Sequence, residues 1–452
     1  MPKRAWMLTP KRYLRLEWEN VSRALQETLR YRYSKKDVTE QFYNECSTRL
    51  EQLRSLIDKV QENDKSGLFE LWRQLVRLSL LITNIEHSHL EEFSWPFAEA
   101  LKNVTSAAFS NVLFLFKAEG GLCSYAMYPE SPGVGRKRIF PVVFPRGIRE
   151  FVLLHTIIGH EFGHAALVSH GGTLGNVVRT LISGSVLELT PSGTRRSTLT
   201  KPDDFFQWCK AHIGVTERVD DESLSALALG WAKELFCDLF GLLIIGPSIL
   251  PAFQTLLETP SFNSDPRRFV PSHPPFALRA VALLSAVRAL KLLYSEQSPP
   301  ADLDQLTAQL DKAFVDTAST WDGGPFSILQ GKRIQEAADE LVKFATPPLA
   351  FPQPDARLIA QLMQSIRDEV PPVGAYPATT TASHGVEPPT IECIECTTVD
   401  FRHVLLAGWL RWSEAMSSRD EECFRDINRL CAHAIMQQEG ISYWKARAAR
   451  SA

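Results

Sequence analysis

Residues 149–172, REFVLLHTIIGHEFGHAALVSHGG, decide how the chain is read. The stretch is rich in apolar residues, free of proline and closed by Gly171-Gly172, so it reads as a helix ended by those two glycines. Inside it lies His160-Glu161-Phe162-Gly163-His164. Residues four apart sit about 40° apart around a helix, so both imidazoles share one face and can converge on one ion. Glu161 sits one position round. By chance such a pattern is expected roughly 0.02 times in a chain of this composition. The competing reading is a pair of helix histidines that bind no ion.

Zinc suits the pattern, because neutral imidazoles bind it well and an open coordination position lets it acidify a water that Glu161 can hold. A third ligand is then needed. His170 stands where the third histidine of HExxHxxGxxH would fall, but Leu167 replaces the glycine that turns the chain, and the next methionine downstream is Met363. In a continuing helix His170 would lie ~15 Å along the axis from His160. The metzincin reading fails, and His170 reads as a C-terminal helix residue favoured by the dipole.

Glu234 is the better third ligand. It lies in Glu234-Leu-Phe-Cys-Asp238, within the second strongly apolar helix, 220–245. A glutamate and an aspartate one turn apart on an apolar helix are costly to bury alone. An ion would partner Glu234, and the free ring N–H of His160 would partner Asp238. The alternative is a charge pair with a basic residue such as the neighbouring Lys233.

Outward from this centre, residues 15–105 carry helical periodicity, clearest at Leu71, Leu75, Leu78 and Ile82. From 106, short apolar and aromatic runs around a Gly-rich turn (NVLFLF, GGLCSYAMY, KRIFPVVFP) read as a small sheet. Residues 173–215, rich in Ser, Thr and Gly, read as a long excursion or lid. Helical patterns return after SHPPF (272–276) and near 302–317, 330–345, 356–369, 400–416 and 419–437, with a linker at 371–390. The fold class expected is α+β, mostly helical, with the small sheet beside the HExxH helix and helical extensions on both sides. The expected divisions are an N-terminal helical region (1–105), a central core (106–300), a helical extension (301–370), a flexible linker (371–391) and a C-terminal helical segment (392–452).

The 452 residues carry a net charge of −3, which argues against a general nucleic-acid or anionic-membrane binder. Eight cysteines spread over the chain match reduced thiols of a cytoplasmic protein. The N-terminus has no apolar run of the secretory kind. The apolar run LFGLLIIGPSILPAFQTLL (239–257) is broken by glycine and proline, so it reads as a buried helix followed by a turn rather than a membrane span. Cys393 and Cys396 form a single CxxC, read as ordinary thiols, with a redox pair or a cap on the central ion as alternatives. His87 and His89 read as surface residues, and His155 as core.

HEFGH followed by ELFCD resembles the gluzincin metallopeptidases, whose pattern is HExxH with a later ExxxD. Ser272-His273-Pro274-Pro275-Phe-Ala-Leu-Arg279 is similar to the HPP…R element of the CAAX prenyl protease and heat-shock membrane peptidase family. The three motifs cover about 150–280. The chain departs in having no evident membrane helix, a longer stretch between the first two motifs, and Cys-Asp where the family commonly has Ala-Asp. The resemblance implies a gluzincin-like core, Zn2+ at His160, His164 and Glu234, Glu161 as catalytic base, His273 near the site and Arg279 supporting it. From the residues alone, His273 reads rather as a surface turn residue before two prolines. The expected activity is a zinc endopeptidase acting on protein or peptide substrates. The alternative is a non-catalytic regulatory or binding protein that keeps the zinc-peptidase scaffold. A DNA-associated regulator is a weaker third reading, without a helix-turn-helix signal. No motif names a partner for the helical extensions.

Overall fold

The structure is a computed structural model that describes residues 9–28, 36–90, 95–106, 108–110, 112–119, 126–127, 138–182, 187–189, 195–197, 221–257, 273–274, 276–290, 332–345, 348–352, 356–373, 399–415 and 421–451. Over these the chain is mostly helical. It divides into two compact units, 1–93 with 109–122 and 126–146, and 94–108 with 123–125 and 147–452. Residues 302–317, most of the 371–390 linker and Cys393 with Cys396 lie outside the described residues, as do the side chains of His87 and His89.

The first unit is built on three amphipathic helices, α1 (Pro10–Thr28), α2 (Lys36–Lys59) and α3 (Lys65–Leu90). Leu14, Val21 and Leu25 from α1, Leu50, Leu53 and Ile57 from α2, and Leu68, Leu71, Leu75, Leu78 and Ile82 from α3 form one buried cluster. Their spacings of three, four and seven are those that keep an apolar stripe on one face of a helix. Trp18 donates its indole N–H to the Leu50 carbonyl at 2.7 Å, so the one polar atom of that ring is satisfied. The apolar runs after 106 form strands β1 (Val112–Glu119), β2 (Ala126–Met127) and β3 (Arg138–Pro145) in the order β1-β3-β2. β1 runs parallel to β3, from Val112 beside Arg138 to Glu119 beside Pro145, and β2 pairs antiparallel with β3. This sheet belongs to the first unit, with α1–α3.

The second unit holds α4 (Trp95–Thr105), α5 (Ile158–Ile182), α6 (Asp221–Ile245), α7 (Ile249–Leu257), α8 (Phe276–Leu290), α9 (Lys332–Phe344), α10 (Ala356–Arg367), α11 (Phe401–Ala415) and α12 (Glu421–Ser451). The HExxH helix is α5 and the ExxxD helix is α6. The short turn leading into α5 is held from several sides. Asn428 of α12 accepts the Leu153 N–H at 3.0 Å, and Thr156 donates to the carbonyls of Leu153 and Ser248 at 2.9 and 3.1 Å.

The run 173–215 begins differently from expectation. The helical path breaks at His170 (φ −127°, ψ 26°) and then resumes through Gly171 and Gly172 to Ile182. The glycines therefore do not stop the helix, and the first ten residues of the expected excursion are helical. The break lies where His170 leaves the ladder: its Nε2–H donates to the Ala108 carbonyl at 2.6 Å, and its ring packs edge-on against Phe344. A short antiparallel ribbon follows, β4 (Leu187–Leu189) with β5 (Arg195–Ser197).

The apolar run 239–257 is two buried helical pieces. α6 stops at Ile245, Gly246 takes φ +84°, and α7 starts at Ile249. A side chain at Gly246 would be strained and would strike the Phe351 ring, 2.4 Å away. Arg402, fully buried, donates to the Ile244, Leu349 and Pro348 carbonyls and pairs with Asp400. It thus satisfies a carbonyl that the end of α6 leaves without a helical partner. No described helix is long and apolar enough to cross a membrane.

α5 and α6 meet along a seam of small residues. A Cβ added to Gly163 would lie 2.6 Å from Cys237 Cα, and one added to Gly241 would lie 2.8 Å from the His160 backbone nitrogen. At Gly163 and Gly241 the backbones approach too closely for a side chain. Gly163→Ala should therefore overpack the seam and lower stability by about 1–3 kcal/mol or more. Urea unfolding followed by circular dichroism reads this as a lower midpoint. An unchanged midpoint would mean that α5 and α6 are not in such close contact.

Candidate metal centre

The seam sets where the polar side chains of the two helices meet. His160 and His164 project from one face of α5, with ring centroids 5.1 Å apart and planes nearly perpendicular at 83°. Glu234 and Asp238 face them from α6. His160 Nε2 lies 3.2 Å from Glu234 Oε2, and His164 Nε2 lies 3.5 Å from Glu234 Oε1. His273, the first residue of the HPP element, brings its Nε2 to 3.5 Å from Glu234 Oε2. Three imidazole nitrogens thus face one carboxylate. Glu234 Oε2 is buried without a well-aligned hydrogen bond, and its neighbours are the ring nitrogens of His160 and His273.

Behind His160 stands a fully buried ion pair. His160 Nδ1–H donates to Asp238 Oδ1 at 2.8 Å. Arg279, on α8, donates through Nη2 to the same oxygen at 2.6 Å and through Nε to Oδ2 at 2.8 Å. The Phe253 ring of α7 stacks under the guanidinium, with Cζ 4.3 Å from the centroid. The hydrogen bond to Asp238 fixes the His160 ring and leaves Nε2 as the nitrogen turned toward Glu234 and His164. The side chains named from the sequence are therefore together: His160, His164, Glu234 and His273 in one cluster, with Asp238 and Arg279 directly behind. Glu161 is buried on the first turn of α5. Its charge is felt at the Cys237 thiol.

The charges are strongly coupled. Burial works against a charged His160, but the carboxylates of Asp238 and Glu234 outweigh it and hold the imidazolium up to about 10. Burial and the neighbouring His160 push His164 down to about 4, so it is neutral at pH 7. Glu234 is held down to about 2, because His160, His164 and Arg279 overcome the burial that would raise it. Asp238 is lowered as well, Arg279 overcoming its burial.

Sequence reasoning passed over Cys237. Its Sγ and one ring nitrogen each of His160 and His164 lie within 4.8 Å of one another, and this group can hold a metal ion. The signal was present as the departure Cys-Asp for Ala-Asp, together with Gly163, whose missing side chain leaves room for the sulfur 3.0 Å from its would-be Cβ. His155 and His170 have other work. His155 is buried and donates through Nε2 to the Arg149 carbonyl at 2.8 Å, and His170 is spent at the break in α5. No protein family, curated protein or solved structure matches the chain.

Asp238→Asn should do more than loosen His160, because Arg279 would remain buried without its counter-charge. We expect a loss of roughly 3–5 kcal/mol in unfolding free energy. Asp238→Asn combined with Arg279→Met should recover part of it, while metal affinity stays roughly 10–100-fold below wild type. Denaturation and metal titration of the same three proteins separate the two effects. A single variant as stable as wild type would contradict the buried pair.

The state of His160 gives a pH dependence of definite sign. Only the neutral imidazole can ligate, and in the metal-free site the proton stays on below about pH 10. Metal uptake at pH 7–8 should therefore release about one proton from this ring, and affinity should rise up to roughly tenfold per pH unit toward that value. Calorimetry in buffers of different ionisation enthalpy measures the proton. Uptake without release would overturn the charge assignment.

Proposed function

We propose that the protein is a zinc-dependent endopeptidase, with His160, His164 and Glu234 holding the ion and Glu161 acting as general base. The convergence of imidazole Nε2 atoms on the Glu234 carboxylate at 3.2–3.5 Å carries this reading. Oε2 of Glu234 faces the ring of His160 and Oε1 that of His164, so the carboxylate stands between the two imidazoles of the HExxH motif, where an ion held by all three would sit. Glu234 Oε2, buried without a well-aligned hydrogen bond, supports it too. Glu234 is taken as the third ligand because its carboxylate faces both motif histidines, while Cys237 forms a second group with the same two residues.

Zinc, when bound, supplies Lewis acidity and lowers the pKa of a water in the site. Glu161 takes the proton of the attacking water and passes it to the leaving amine as the peptide bond breaks. Arg279 and Asp238 keep the His160 ring in one orientation, so no reorganisation of that ring is needed during reaction. His273 is half-exposed and faces the site through Nε2, where as an N–H donor it can hydrogen-bond the oxygen of the scissile carbonyl. His164 is also partly exposed, so the substrate approaches from the side of these two rings.

The reading as a non-catalytic scaffold differs at Glu161. Purified protein should carry about one equivalent of zinc, lost in His164→Ala. Glu161→Gln should retain the zinc yet cleave peptides ~10²–10⁴-fold more slowly than wild type. The assay is cleavage of a peptide library followed by mass spectrometry. Equal rates for the two proteins would remove Glu161 from the chemistry, and a full equivalent of zinc in His164→Ala would remove the metal site.

A further inference from the structure

Cys237 has no part in the chemistry above, yet it is placed as a ligand would be. It is a free thiol, fully buried on α6 one turn after Glu234, and it faces α5 where Gly163 carries no side chain. Two imidazoles stand with it inside 4.8 Å. Two donor sets therefore share His160 and His164. One is completed by the Glu234 carboxylate, the other by sulfur. Hard ions favour the oxygen set, zinc accepts either, and the softest ions gain most from sulfur.

We propose that the centre takes thiophilic ions through His160, His164 and the Cys237 sulfur, so that a soft ion of the cadmium class occupies the site by a different third ligand from zinc and competes with it. In that exchange a metal–sulfur bond forms, the S–H bond breaks and the proton leaves to solvent; nothing is oxidised or reduced. Glu234 then lies beside the ion as a counter-charge rather than a necessary ligand. The inference rests on the metal reading of the same centre and adds its ion selectivity. A soft ion held this way would block the site, because the third ligand and the geometry would no longer be those that the reaction requires.

The test uses the full-length reduced chain titrated with cadmium chloride, reading the ultraviolet thiolate-to-cadmium charge-transfer band. Cys237→Ser is the comparison, since the other seven cysteines are common to both proteins and cancel. Wild type should show one thiolate's more absorbance than the variant. That increment should vanish when about one equivalent of zinc is bound first, and should persist in Glu234→Gln. Cys237→Ala gives the same comparison if serine is not tolerated in so dry a position. The zinc-sensitive part of the band is measurable on wild type alone. Zinc binding at about one equivalent together with identical cadmium bands in wild type and variant would overturn the sulfur set and leave the zinc reading standing. Failure of both ions to bind in a His164-dependent way would overturn the two together.

Discussion

The close passage of α5 over α6 is the constraint on which the centre depends. Helices bearing ordinary side chains keep their axes about 8–10 Å apart. Here Gly159 and Gly163 on one helix face Gly241 and Cys237 on the other, so that a Cβ on any of the three glycines would fall inside contact distance of the facing helix. Only at such a separation does the His160 ring reach across to Asp238 with a 2.8 Å hydrogen bond while its other nitrogen meets Glu234. The HExxH pattern is thus interleaved with a second pattern, Gly-x-x-x-Gly, that does the packing. His160 and His164 are on the face that meets the partner helix because the glycines are.

Burial has an electrostatic consequence. Asp238 is an anion with no exposure to water, and such a group is tolerable only with full compensation. Arg279 gives two donors, His160 a third, and Phe253 covers the guanidinium. The net effect is a rigid backing for one ring. Glu234 stands in contrast, facing three imidazoles without a well-aligned hydrogen bond to one oxygen. One carboxylate is saturated by hydrogen bonds; the other is surrounded by imidazole nitrogens. Their places one turn apart on the same helix explain how a single segment provides both.

The surrounding fold holds the two helices in register from both ends. The start of α5 is held by Leu153 and Thr156 through partners on α11, α12 and the turn after α6, including the Trp409 indole on the Leu153 carbonyl at 3.3 Å. The end of α6 is held by Arg402 and by the Gly246 turn against Phe351. The C-terminal helices belong to the same compact unit as the centre.

Much of the architecture was legible in the residues because it rests on local periodicity. Leu71, Leu75, Leu78 and Ile82 recur at helical spacing and are buried together, and Gly246-Pro247 interrupts an apolar run that would otherwise suggest a membrane span. The pairing of His160 with Glu234 and Asp238 was legible too, since polar groups on apolar helices need partners and each motif lacked what the other had. The tertiary structure decided what depends on distance between segments. It placed His273, which by itself resembles a turn residue, 3.5 Å from Glu234, and it set the Cys237 sulfur beside His160 and His164. It also carried the chain through Gly171-Gly172 as helix, because the break is made one residue earlier, where His170 finds Ala108 and Phe344 from distant parts of the sequence. A spacing of four along a helix is a property of the chain itself; a hydrogen bond across sixty residues exists only once the fold has closed the gap.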